Sequence, residues 1–354
     1  MVDLAQVLAR HWPDYLRRFG EKLLPSHRRA VQAILSCRTA QLGGKLYACA
    51  PCDHFHYAYH SCNHRACPKC GHHQATLWIE QQKAKLLPVP YFLVTFTLPA
   101  ELRPLARAHQ QLLYSLFLTQ SARALQDIAR DPKHLGVELG LLAILQTWTR
   151  DLRFHLHSHL VVPGGGLTPD HLRWRQVPSP DFLLPEKVLA TRFRTRFRHA
   201  LEQHPELFAQ VPSRVWYKPW VADVIAVGRG ESALKYLSAY IYKTAFTSQR
   251  LLGFDDHSVT FTYQDRITGQ STLCRLPAHQ FIHRLLQHVL PRGFQRVRYF
   301  GWLAAAATKR RRRILALLDY RPPDPPLPTL VPPPRCPHCQ RPMLCLAQLP
   351  RPPP

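Results

Sequence analysis

The sequence predicts an α+β protein preceded by a small metal-stabilised module, and three observations carry that expectation. Helical and extended hydrophobic periods alternate through the middle of the chain, which is the pattern of a layered α/β or α+β core. Six of the ten cysteines fall between Cys37 and Cys70, and three more close the chain at Cys336, Cys339 and Cys345. In a reducing compartment such clusters favour metal ions over disulfides. At 46% hydrophobic over 354 residues the chain can bury a sizeable core, which excludes wholesale disorder.

The N-terminal run MVDLAQVLARHWPDYLRRF is amphipathic and has no signal-peptide core. No stretch approaches the ~18 to 20 consecutive apolar residues of a membrane span, so a cytoplasmic, nucleoid-associated protein with no membrane partner is expected. PSHRRAVQAIL, from Pro25 to Leu35, offers Ser26 as an N-cap, and Gly43-Gly44 ends the helical pattern. Beyond the cysteines, WIEQQKAKLLP reads as a helix stopped at Pro88, and Tyr91 to Pro99 is β-branched and aromatic, as a buried strand requires. A helix follows from about Leu112 to Ile128, then strands in GLLAILQTW and in HLHSHLVV, which stops at Pro163 and three glycines. After Tyr320 the composition changes: 14 of the 33 prolines lie in the last 34 residues, preceded by the basic run Lys309 to Arg313. That composition reads as a polyproline-like linker. The expected organisation is a helical and zinc-binding DNA-docking domain over residues 1–85, a catalytic domain over 86–302, a basic and Pro-rich linker over 303–334, and a cysteine-knuckle tail over 335–354.

Lys and Arg number 47 against 22 Asp and Glu, a formal charge of +25 before any of the 21 histidines is counted. A field of that size attracts phosphate backbones or anionic membrane. Between Lys187 and Gln203, Leu189, Phe193 and Phe197 recur at helical spacing with Arg192, Arg194, Arg196 and Arg198 between them. One side of such a helix packs, and the arginines face either solvent or DNA.

Cys49-x2-Cys52 is followed after 14 residues by Cys67-x2-Cys70. Two-residue spacing lets both sulfurs of a knuckle point at one ion, so these four thiolates are expected to close a tetrahedron around structural Zn²⁺. Cys37, Cys62 and His64 are spare ligands for a second site, and Cys336-Pro-His-Cys339 is half a site.

His155, His157 and His159 recur at period two, so on a strand they share one face and can meet a single divalent ion. After Gly228 and Gly230 comes a second constellation, Glu231 to Lys243. On a helix Leu234, Leu237 and Ile241 form one stripe, while Tyr236, Tyr240 and Lys243 form another roughly 130° away. A phenol can attack phosphorus where a metal polarises the phosphate oxygens. Two tyrosines one turn apart allow two successive attacks, which is strand transfer rather than hydrolysis. Lys243 could neutralise a phosphate nearby.

These residues resemble the two-tyrosine HUH transposases of the insertion-sequence ninety-one family. The likeness runs from about His27 to Leu303 through Ser36-Cys37-Arg38-Thr39-Ala40, Leu42-Gly43-Gly44, Cys49-x2-Cys52, the run Ser61 to Cys70, Phe96-Thr97-Leu98-Pro99, His155 to Gly166, Tyr236-Leu237-x2-Tyr240 and His288 to Phe294. The resemblance implies an HUH fold, a central antiparallel sheet with flanking helices. It implies a nuclease and strand transferase acting on single-stranded element ends and target DNA, with His157 and His159 as ligands of Mg²⁺ or Mn²⁺ and Tyr236 and Tyr240 as nucleophiles. Ser158 stands where the family usually has a bulky hydrophobic residue, Gln146 where a histidine is common, and Lys243 where an arginine is. His155, which shares the strand face, is the first choice for third ligand, and Gln146 the second.

A relaxase or rolling-circle replication initiator would share the chemistry, but the chain has no GxxxxGK[ST] motif and does have a cysteine module, which favours the transposase. A zinc-dependent DNA-binding protein without catalysis is the other alternative. A carboxylate-dependent enzyme is disfavoured by the scarcity of acidic residues and the lack of a paired set for two metals.

Overall fold

The computed structural model describes residues 2–70, 72–83, 85–229, 232, 234, 244–265, 268–324 and 332–352. The N-terminal part contains α1 (Leu4–Phe19), α2 (Pro25–Ser36), β1 (Gly44–Cys49), β2 (His54–Tyr59) and α3 (His72–Lys83). The middle contains β3 (Pro90–Thr97), α4 (Arg103–Ala108), α5 (Gln110–Arg130), β4 (Gly140–Trp148), β5 (Phe154–Pro163), β6 (Gly165–Leu167), β7 (Trp174–Gln176), α6 (Glu186–Glu202), α7 (Pro205–Phe208) and β8 (Val221–Arg229). There follow β9 (Leu251–Phe254), β10 (Ser258–Gln264), β11 (Ser271–Pro277), α8 (Ala278–Leu286), β12 (Val297–Gly301), α9 (Thr308–Leu317) and β13 (Leu344–Leu349). No helix among the described residues is long and apolar enough to cross a membrane.

The chain divides into two compact units, and neither is contiguous in sequence. One comprises Met1–Gln74, Tyr242–Val289 and Pro326–Pro354; the other comprises Ala75–Ile241 and Leu290–Pro325. The division falls inside α3, about ten residues before the boundary expected near residue 86, and the tail joins the N-terminal segment instead of standing apart.

The second unit is built on an antiparallel sheet in the order β12-β4-β5-β3-β8. Period two divides each strand between the two faces of this sheet. Phe92, Val94 and Phe96 of β3, Leu141, Ala143 and Leu145 of β4, and Leu156, Leu160 and Val162 of β5 are buried in one core with Phe117 and Leu125 of α5 and Leu189, Phe193 and Phe197 of α6. The Phe193 ring lies 4.8 Å from Phe96 in a tilted contact and 5.2 Å from Trp220 edge-on, aromatic contacts that add to simple burial. Gly140 is required by close packing: a Cβ there would sit 2.6 Å from the Trp302 ring.

The alternating pattern of α6 places its stripe as expected, and its arginines are largely committed to protein partners. Both nitrogens of an Arg196 fork bond the Asp127 carboxylate, Arg194 donates to the Lys218 carbonyl at 3.0 Å, and Arg198 pairs with Glu202 at 2.9 Å. Helix α2 starts with Pro25 at its first turn and has no side-chain cap, so Ser26 does not cap it. Helix α3 stops at Lys83, short of Pro88. Residues expected to begin the linker instead fold: Thr308–Leu317 is helical, with Ile314 fully buried and Arg310 Nη1 donating to both carboxylate oxygens of Glu138 at 2.6 and 2.7 Å. A charge run can hold a helix when one apolar residue docks and one arginine finds a buried acid.

The first unit contains the sheets β13-β1-β2 and β11-β10-β9. Helix α8 packs on α1, where the Tyr15 hydroxyl lies 3.3 Å from His283 Nδ1. Phe246 meets Phe261 of β10 and Phe281 of α8 edge-on, and the latter two rings contact each other at a tilt.

Candidate nuclease site and metal centres

The three histidines lie on β5, the central strand of the five-stranded sheet, on the face opposite the hydrophobic core. Their neighbours are fixed by register. His157 stands opposite Thr97 and His159 opposite Thr95 on β3, and each threonine Oγ1 is 3.0 Å from the histidine Nδ1. Such partners fix the orientation of each ring through Nδ1. On the other flank, Gln146 of β4 pairs with His157, and its Oε1 lies 3.0 Å from His159 Nε2. The carboxamide is oriented because its Nε2 donates to the Trp148 carbonyl at 2.9 Å. His159 is buried, and desolvation, reinforced by the Arg296 charge, pushes its pKa down to about 4. It is therefore neutral at neutral pH, the form that ligates metal.

His155 is placed differently. Its ring stands edge-on to His157 with centroids 3.9 Å apart, whereas the His157 and His159 rings stack at 6.1 Å. Among the described residues, the groups of three or more His, Cys, Asp or Glu donors that converge are two cysteine clusters; the three histidines are not one of them. A shared strand face does not ensure a shared focus, because alternate residues sit about 7 Å apart along a strand.

Ser158 is fully buried on the core face, where its hydroxyl donates to Ser121 of α5 at 2.9 Å, and Ser121 in turn donates to the Phe117 carbonyl. The polar residue between His157 and His159 thus has a buried partner. Tyr236, Tyr240 and Lys243 lie outside the described residues.

The cysteines are brought together in a different pairing from the one expected. Cys49, Cys52, Cys67 and Cys70 do not share one centre. One cluster is Cys37, Cys62, Cys67 and Cys70; the other is Cys49, Cys52, Cys336 and Cys339, with the donor atoms of each within 4.8 Å of one another. The reason is the length of the β1–β2 hairpin. Its register runs from Cys49↔His54 to Gly44↔Tyr59, so the 49–52 knuckle sits at one end and Tyr59 at the other, about 17 Å away. At that far end Arg38 N donates to the His60 carbonyl at 3.1 Å, which brings Cys37, at the end of α2, beside Cys62 and the 67–70 knuckle. Cys37 and Cys62 each lie 3.4 Å from Cys70, sulfur to sulfur. Hydrogen bonding, first from Cys67 and then from the His64 amide, pulls the Cys62 thiol down to about 5, while burial pushes Cys37 up to about 11. Four sulfurs grouped in this way are the donor set of a closed tetrahedral zinc site.

Residues 140–312 match the family model described as "Putative transposase", and residues 7–98 match the model described as "Transposase zinc-binding domain". The chain is similar to "Putative transposase y4qJ" of Sinorhizobium fredii, 37% identical over 316 residues that cover 82% of this chain and 79% of that protein. It is also similar to "Transposase for insertion sequence element IS801" of Pseudomonas savastanoi pv. phaseolicola, 29% identical over 294 residues, 77% of this chain and 69% of that protein. No solved structure matches.

Proposed function

Because the chain belongs to the insertion-sequence ninety-one family of transposases and carries that family's zinc-binding domain, we propose that it nicks and rejoins single-stranded DNA at element ends through 5′-phosphotyrosine intermediates on Tyr236 and Tyr240. The observation that carries this reading is the pair His157 and His159 on the central strand, each held through Nδ1 by a threonine, with Gln146 Oε1 3.0 Å from His159 Nε2. That is a two-imidazole, one-amide donor set on the face of an antiparallel sheet opposite its hydrophobic core, and we read the sheet with α5 and α6 as an HUH nuclease core.

In this proposal Gln146, not His155, is the third donor. A bound Mg²⁺ or Mn²⁺ would withdraw charge from the non-bridging oxygens of the scissile phosphate. The threonines hold the imidazoles in register, and His159 is buried and neutral. The phenolic oxygen of one tyrosine bonds to phosphorus as the bond from phosphorus to the 3′-oxygen breaks; the phenol gives up its proton and the departing 3′-oxygen takes one up. The second tyrosine repeats the step on another strand, and each 3′-hydroxyl can then reverse the reaction on a new phosphotyrosine, joining ends. DNA is held by Lys and Arg contacts to phosphate, in keeping with the +25 formal charge.

The test is Mn²⁺-dependent nicking of single-stranded oligonucleotides that carry the element's ends. His157→Ala is expected to abolish nicking while filter-binding affinity for the same oligonucleotides is retained; nicking at the wild-type rate would remove the metal assignment.

A further inference from the structure

The second cysteine cluster joins positions 290 apart in sequence, Cys49 and Cys339, at a sulfur separation of 3.4 Å. We propose that Cys49, Cys52, Cys336 and Cys339 bind a second Zn²⁺ as a closed tetrathiolate site, so that the C-terminal tail is a structural half of the zinc module rather than an appendage. The tail knuckle lies outside both family-model matches, which end at residues 98 and 312.

Four features show that the site is built rather than accidental. The two knuckles have the same local shape: each Cys-x2-Cys is followed by a residue in the left-handed conformation, Asp53 at φ 46° and Gln340 at φ 59°. Backbone amides point at the sulfurs of the tail knuckle, from Cys339 and His338 toward Cys336 and from Arg341 toward Cys339. Amide donors of this kind stabilise thiolate, the form that binds metal.

The tail is also delivered to the site by a strand. β13 adds to the free edge of β1 in antiparallel register, from Gly44↔Leu349 to Ala48↔Leu344, and this register sets the preceding knuckle beside Cys49. Gly43, at φ +66°, is the residue that admits it, because a Cβ there would collide with the Leu349 carbonyl oxygen. Finally, Met343 is buried against Cys49 and Cys336, with Tyr47, Cys52 and Cys339 packed around them. Donor atoms in this cluster lie within 4.8 Å of one another, and the 3.4 Å gap is far beyond a disulfide bond, so the sulfurs are grouped as ligands around a common point.

The test uses the full chain as purified. Elemental analysis is expected to give two zinc equivalents per chain, falling by half in the Cys336→Ser/Cys339→Ser variant. Alkylation followed by mass spectrometry gives a readout that needs no variant: Cys336 and Cys339 should resist modification together with Cys49 and Cys52 while exposed Cys345 is labelled. Chelation should then expose all four. One zinc equivalent in the wild-type chain, undiminished zinc in the double variant, or labelling of Cys336 and Cys339 as fast as Cys345 would each overturn the proposal.

Discussion

Gln146 Oε1 lies 3.0 Å from His159 Nε2, across the pair of strands at the centre of the sheet, and its amide nitrogen is tied to the Trp148 carbonyl. A residue whose oxygen is aimed by its own nitrogen is pre-positioned to donate to whatever His159 binds. Gln146→Ala is expected to raise the Mn²⁺ concentration for half-maximal nicking by about 10- to 100-fold, while Gln146→Glu keeps the donor and most of the affinity. Equal Mn²⁺ dependence in Gln146→Ala and wild type would show that Gln146 is only a neighbour.

Ser158 and Ser121 form a buried hydroxyl pair, so they should be energetically coupled. Ser158→Ala leaves Ser121 with its donor to Phe117 but without the incoming proton, and a loss of about 1 to 3 kcal/mol is expected. The double variant Ser121→Ala/Ser158→Ala should lose less than the sum of the two singles. Additive losses in urea unfolding would mean that the pair does not interact.

The depressed His159 pKa makes stability depend on pH. The unfolded chain titrates this imidazole near 6.5, and the folded chain near 4. Above 6.5 it is neutral in both states; below that, the unfolded state binds the proton first, and folding stability falls until about pH 4. The contribution lost across that window is roughly 3 kcal/mol. Between pH 7 and 4, His159→Gln should lose less stability than wild type, and parallel curves for the two proteins would contradict a buried neutral imidazole.

Cys37 belongs to the first zinc cluster although it lies twelve residues before Cys49. Cys37→Ser is therefore expected to lower zinc content and to destabilise the N-terminal segment, since a closed site contributes folding free energy. Unchanged zinc content and an unchanged melting curve would remove Cys37 from the ligand set.

The strands of the central sheet were legible because a run of apolar, β-branched and aromatic residues is a local signal. GLLAILQTW coincides with β4 and the histidine run lies within β5, as residue types alone suggested. The α6 stripe of Leu189, Phe193 and Phe197 was legible for the same reason at helical period. The partner of Ser158 was not, because nothing in the sequence marks Ser121 of α5 as the residue that faces it. Cysteine pairing failed to read for a related cause. Adjacent knuckles look like one site until the hairpin between them sets their ends about 17 Å apart, and the true partners of Cys49 and Cys52 lie at the far end of the chain. The tail strand was hidden as well, since edge pairing with β1 depends on a glycine that carries no signal beyond flexibility.

The central claim is covalent catalysis by Tyr236 and Tyr240, and it is tested most directly by trapping the intermediate. Purified protein, Mn²⁺ and 5′- or 3′-labelled single-stranded oligonucleotides spanning the element ends are incubated and run on denaturing gels, with Tyr236→Phe, Tyr240→Phe and the double variant alongside. The account predicts a protease-sensitive adduct on the fragment that carries the 5′-phosphate, absent from the double variant and dependent on His157. Cleavage without an adduct, or an adduct that survives loss of both tyrosines, would contradict it.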